Sequence, residues 1–222
     1  MNIKQQIKNN YHLLKEIENL TGKIEINQNL EKDYLFAGFY RNSLVHYYSI
    51  NILVEKMLYN SAFALVRVLF ENVIKGNYLY YYFNDSEINA LINKKNWSNL
   101  FPTIEEMCIK FPRIDNVHQS LFKHIKNKTY QVMNDYIHTG HNQIARNFND
   151  DTKTIESNFN DDELFAILEL INLIILPNIK IYMGIGIKQN YLSNNEVEKL
   201  FLLMEAKYEK WLFRKDKYKK DK

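Results

Sequence analysis

Proline is scarce in this chain, with three among 222 residues, and glycine is little commoner, with six. So few breakpoints argue against a turn-rich β fold and favour long helices. No stretch shows sustained period-two alternation of the kind a half-buried strand needs. There is one cysteine, Cys108. A disulfide framework is excluded, and a reducing compartment is the natural setting. No run of about 20 apolar residues occurs. The most apolar stretch, residues 164–187, is interrupted by Glu169, Asn172, Pro177, Asn178 and Lys180. It reads as a buried helix and not as a membrane span. The first residues, Met-Asn-Ile-Lys-Gln-Gln-Ile-Lys, carry no apolar h-region, so no secretory signal is expected. The expectation is a soluble, cytoplasmic protein. A strong charge imbalance is lacking too: 29 basic against 26 acidic residues leave a net charge of +3. The body is therefore not a polyanion-binding surface by charge alone.

Several chemistries also lack their residues. There is no P-loop, no His-Glu-x-x-His, no cysteine pair for zinc and no nucleophile elbow. Gly184-Ile-Gly186 lacks the third glycine and the preceding strand of a dinucleotide fingerprint. Kinase, dehydrogenase and zinc-protease readings have nothing to stand on, and no cofactor is expected.

What is present is helical periodicity. Helices are expected over 2–20, 30–58 and 62–83, the last capped by Asn60-Ser61. A short helix through 93 follows the cap Asn84-Asp85-Ser86, and a small one lies between Pro102 and Pro112. A longer helix over 116–137 precedes a short piece ending near Arg146 or Phe148. Residues 149–160 are polar and read as a loop. Asp161-Asp162-Glu163 opens a helix running to about 184, kinked near Pro177 and ended by Gly184-Ile-Gly186. Ser193 and Glu196 form a capping box for a last helix. The fold class is all-α: a single-domain bundle of six or seven major helices over residues 1–209. Residues 210–222 form a basic tail with seven basic and two acidic residues. That tail reads either as a nucleic-acid contact or as a solvated terminus.

Arg67 is the most informative residue. It lies in Phe63-Ala-Leu-Val-Arg-Val-Leu-Phe70, apolar nearly all round, where an unpaired charge would be costly. Glu71, one turn on, is its expected partner. The pair reads as a buried register lock or as a preorganised charged site. His138 ends a helix just before Thr139-Gly140-His141, a junction where imidazole can do acid–base work or cap a carbonyl. His141 could share its face, but two histidines without carboxylate partners do not make a metal site. Arg146, two turns beyond His138, is a candidate phosphate ligand or a simply exposed residue. Arg41-Asn-Ser-Leu-Val-His46 has the Arg-x(4)-His spacing of a known ribonuclease motif, yet five helical steps set the two side chains roughly 140° apart. Tyrosines 78, 80, 81 and 82 could stack on bases or, the preferred reading, pack a helix end into the bundle.

Ser61-Ala-Phe-Ala-Leu-Val-Arg67, Phe70-Glu71 and Tyr136-Ile-His-Thr-Gly140 resemble a bacterial helical family. Its members carry a similar Ser-Ala-Phe-Ala-Leu-x-Arg…Phe-Glu helix and a later Tyr-x-His-Thr-Gly segment. His46 falls where such proteins tend to carry a histidine, and the resemblance spans about residues 35–185. That family looks like a distant branch of the HEPN superfamily. The likeness implies a helical bundle that often dimerises, and a metal-independent endoribonuclease of toxin–antitoxin, CRISPR or phage-defence systems. The usual Arg-x(4–6)-His motif lies on a late helix, whereas Arg41–His46 lies early and His138 precedes Arg146.

Two functional readings follow. In the first, the chain is a ribonuclease or toxin acting on RNA as a homodimer, with a cognate partner protein. His138 is its acid–base group, Arg67 or Arg146 stabilises the phosphorane, Glu71 orients Arg67 and His46 is the second acid–base group. Arg41, Tyr136, His141 and Arg146 would contact substrate. In the second, the same cluster belongs to a non-catalytic binding module, an antitoxin, sensor or adaptor. A nuclease site must open to solvent; a structural network would be sealed.

Overall fold

The computed structural model describes residues 2–93, 97, 100–110, 122, 125–138, 140–149, 153–155, 158–200 and 202. Of the helix expected over 116–137, residues 116–121, 123 and 124 lie outside the described residues, as does the basic tail 210–222. What is described is an all-α bundle with one minimal strand pair.

Helix α1 (Ile3–Thr21) starts at Asn2, whose side chain accepts from the Lys4 N–H, and buries Ile7, Leu14 and Ile17 at helical spacing. Helices α2 (Glu31–Glu55) and α3 (Tyr59–Tyr82) form a long hairpin joined by a three-residue turn. Met57 in that turn has a φ of 60°. Two short helices follow, α4 (Asp85–Asn93) and α5 (Ile104–Lys110). A wide turn of π-helix, Ile125–Thr129, leads into α6 (Tyr130–Ile137), and α7 (His141–Ala145) comes next. Strands β1 (Phe148–Asn149) and β2 (Thr154–Ile155) pair antiparallel, β2 inside the segment 149–160 expected to be loop and β1 at its edge. Helix α8 (Asp161–Lys188) opens with a capping box between Asn160 and Glu163. A last helix, α9, covers 194–200 behind the Ser193–Glu196 capping box.

Helix α8 is the axis around which α1, α2 and α3 pack. By length and composition it could cross a membrane, but 78% of its most apolar window is buried inside the protein. The bundle itself covers that apolar surface. The helix does not stop at Gly184-Ile-Gly186, as the sequence suggested. A Cβ on Gly186 would lie 2.6 Å from Ile24 and 3.0 Å from Leu192, so this glycine serves close packing and not termination. The cap expected at Asn60-Ser61 is also displaced: α3 begins at Tyr59 behind Leu58, with no side-chain cap. Asn60 reaches instead to the Asn147 side chain at 3.0 Å.

Two asparagine networks stitch the helices together. Asn10 donates to Asn51 at 2.9 Å and accepts from Asn172 at 3.0 Å, and the Tyr47 hydroxyl donates to Asn172 at 2.6 Å. Asn178 donates to the Ser43 hydroxyl at 2.7 Å and accepts from Asn77 at 2.6 Å. Buried amides must be paired, so these bonds fix the register of α1, α2 and α3 on α8.

Candidate functional site

The side of α3 that meets α6 carries Arg67 and Glu71. Val66, Leu69 and Phe70 beside them are fully buried. The two charged side chains keep 18% and 25% of their exposure, so the pair lies at the rim of the bundle and not in its core, contrary to the sequence expectation. Arg67 Nε donates to Glu71 Oε1 at 2.7 Å. Tyr130, at the start of α6, donates its hydroxyl to the same oxygen at 2.8 Å. The Arg67 guanidinium carbon lies 5.0 Å from the centre of the Tyr130 ring, at cation–π distance. Lys75 Nζ stands 4.0 Å from the other Glu71 oxygen. Arg67 Nη1 lies 3.4 Å from His138 Nε2, where a neutral imidazole with that nitrogen bare would accept a long hydrogen bond.

Burial disfavours the Arg67 charge, but the bond and charge of Glu71 outweigh it and raise the guanidinium above its ordinary value. Burial, then the bond to Glu71, pushes the Tyr130 phenol up to about 12. Tyr130 is therefore a donor at neutral pH, and Glu71 is held between donors. His138 is exposed at the end of α6. The chain reverses sharply after it: the Gly140 N–H closes onto the Asp135 carbonyl at 2.6 Å. A Cβ on Gly140 would lie 2.9 Å from the Asp135 backbone, so only glycine fits there without a shift.

Glu71 belongs to a second feature as well. A cleft of about 810 Å³ opens between α2 and α3, with Glu71, Asn72 and Lys75 on one wall and Asn42 and His46 on the other. Trp97 and Phe101 close one end. His46 is half-buried there, and burial lowers its pKa from the ordinary 6.5. Arg41 is exposed and does not line the cleft, as expected for side chains so far apart around one helix. The structure thus brings Arg67, Glu71 and His138 together, puts His46 on the adjoining cleft and leaves Arg41 apart.

Arg146 is engaged elsewhere. It pairs with Glu163, donates to the Asn158 carbonyl at 3.2 Å and lies 5.5 Å from the centre of the Phe159 ring. Tyr136 is buried beneath it, its ring 4.9 Å from Phe63. Together they tie α6 to the start of α8. His141 opens α7, and its side chain lies outside the described residues. Of the four tyrosines at the end of α3, Tyr78 is buried and Tyr80 packs on Phe36 at 5.2 Å.

Sequence reasoning missed Tyr130, Lys75, Asn72 and the rings of the cleft. Lys75 carried a signal, since it follows Glu71 by one turn. Tyr130 carried none, because its bond to Glu71 spans 59 positions. Among the described residues no three His, Cys, Asp or Glu side chains converge as a metal site would require.

Residues 41–191 match a family described as a family of unknown function (DUF6988), and the chain belongs to that family. No curated protein and no solved structure matches it.

Proposed function

We propose that this member of a family of unknown function is a metal-independent endoribonuclease, HEPN-like in its scaffold, acting as a toxin or effector in bacterial defence. The observation that supports the reading is the Arg67–Glu71–His138 cluster, which opens to solvent beside a cleft carrying His46. A network sealed in the core could not meet a polynucleotide.

The chemistry needs only these side chains. The RNA 2′-hydroxyl attacks the adjacent phosphorus, and a histidine takes its proton. The bond from phosphorus to the 5′-oxygen breaks, and a second histidine protonates that leaving oxygen. The products are a 2′,3′-cyclic phosphate and a 5′-hydroxyl. His138 and His46 are the two acid–base groups. Arg67 stabilises the charge that builds on the phosphorane. Glu71 holds its Nε edge, so the Nη edge faces His138. Arg146, committed to Glu163, is the weaker candidate for that role. RNA, a second copy of the chain and a cognate partner protein are the partners of this reading.

A second reading, a non-catalytic sensor or adaptor, draws on the aromatic end of the cleft, which suits a small ligand. RNA cleavage in the presence of EDTA decides between the two. The wild type should cleave, and folded His138→Ala and Arg67→Ala should each lose at least about 100-fold in rate. No cleavage of tRNA, rRNA or mRNA by the wild type would overturn the nuclease reading in favour of the second.

A further inference from the structure

The cleft between α2 and α3 has a chemistry of its own. Its volume of about 810 Å³ suits a compact organic ligand. Its rings are fixed from behind. Trp97 Nε1 donates to the Leu91 carbonyl at 2.9 Å, and the indole lies 6.2 Å from the Phe39 ring while staying 37% exposed. Phe101 stacks on Phe83 at 5.2 Å and meets Phe39 edge-on at 6.1 Å. These are preorganised faces, which cost little to order when a flat ring lands on them.

The polar groups stand on the helical walls. Asn72 commits its amide nitrogen to the Phe39 carbonyl and the Ser43 hydroxyl, at 2.7 and 2.8 Å. Its amide oxygen is then the acceptor it can offer. Lys75 brings a cation, with Arg67 just beyond Glu71. Gly38 lines the cleft from the middle of α2, where glycine destabilises a helix relative to alanine. A Cβ there would meet nothing within 4 Å, so packing does not require glycine. Its effect is to keep the cleft wide.

We infer that this cleft binds one base of a single RNA strand, stacked against Trp97 beside Phe101, with the strand's phosphate turned toward Lys75 and the Arg67 end. The identity of the strand rests on the ribonuclease reading above. The fit to a flat ring bearing an anion rests on the cleft alone.

Trp97 reports on its own site. The chain has two tryptophans, so Trp211→Phe leaves Trp97 as the single indole. That protein is titrated with the four nucleoside monophosphates, with their nucleosides, with inorganic phosphate, and with a 2′-O-methyl oligonucleotide that cannot be cleaved. Saturable quenching by at least one nucleotide and by the oligonucleotide, but not by phosphate, is expected. Gly38→Leu fills the cleft from a helical position and should weaken binding at least about tenfold without lowering the unfolding temperature. Lys75→Ala should weaken the monophosphate more than its nucleoside. Absence of saturable quenching with every probe would overturn the inference, as would binding indifferent to both Gly38→Leu and Lys75→Ala. The two readings fail separately. Quenching without any cleavage keeps the base site and sinks the nuclease. Cleavage without quenching, unchanged by Gly38→Leu, does the reverse.

Discussion

Arg67 Nε and Glu71 Oε1 meet at 2.7 Å across one turn of α3, and Tyr130 from α6 shares the same carboxylate oxygen. The pair is neither a solvated surface bridge nor a sealed core pair, at 18% and 25% side-chain exposure. Its coupling should fall at the upper end of the exposed range. A double-mutant cycle of Arg67→Ala and Glu71→Ala in urea should return about 1 kcal/mol. Tyr130→Phe should cost about 1 kcal/mol by itself, because a donor to the carboxylate is lost. A coupling indistinguishable from zero would show that Glu71 does not hold Arg67 in solution.

His46 gives the cleft a pH signature. Burial lowers its pKa from the ordinary 6.5, so the native protein keeps the ring neutral where the unfolded chain takes up a proton. The stability tied to the neutral ring is fully present above about pH 6.5, falls as pH drops toward the lowered native value, and is level below it. The chain has six histidines, so the contribution is read as a difference. Urea midpoints of the wild type should drop more steeply as pH falls below about 6.5 than those of His46→Gln. Parallel profiles would mean that His46 is solvated in the native state.

The buried asparagines carry a larger stake. Tyr47 is fully buried and donates to Asn172 at 2.6 Å. Tyr47→Phe keeps the ring and strands a buried acceptor, which should cost about 1–3 kcal/mol. At this chain length each kcal/mol lowers the unfolding temperature by about 2–4 °C. Tyr34→Phe, on a ring 51% exposed, should change stability by less than about 0.5 kcal/mol. Equal effects from the two would show that the network contributes nothing.

How far the chain could be read follows the range of its interactions. Helical periodicity is local, and the all-α architecture was legible from it and from the scarcity of proline and glycine. The Arg67–Glu71 contact was legible because one turn separates the pair. Its degree of burial was not, since that depends on neighbours such as Tyr130 that lie far along the chain. The asparagine networks join residues 41, 101, 135 and 162 positions apart, and no spacing rule reaches that far. The cleft was hidden for the same reason: two walls come from the α2–α3 hairpin, but its rings arrive on a segment between α4 and α5. Gly186 misled because a helix-ending glycine and a close-packing glycine look the same in sequence.

The same ambiguity, resolved by the structure, separates two glycines of the hairpin. A Cβ on Gly76 of α3 would lie 2.8 Å from the Phe39 Cβ and 3.5 Å from the Asn178 side-chain oxygen. The Phe39 contact is close to the backbone of α2, so it cannot be relieved by a rotamer change alone. Gly76→Ala must push the two helices apart and should cost about 1–3 kcal/mol. A Cβ on Gly38 of α2 would meet nothing within 4 Å. There alanine only restricts the unfolded chain and improves helix propensity, so Gly38→Ala should add about 0.5–1 kcal/mol. Thermal unfolding of the two variants should therefore move in opposite directions from the wild type. A gain in stability from Gly76→Ala would mean that α2 and α3 stand further apart in solution than the 2.8 Å approach implies, and the cleft between them would be wider to match.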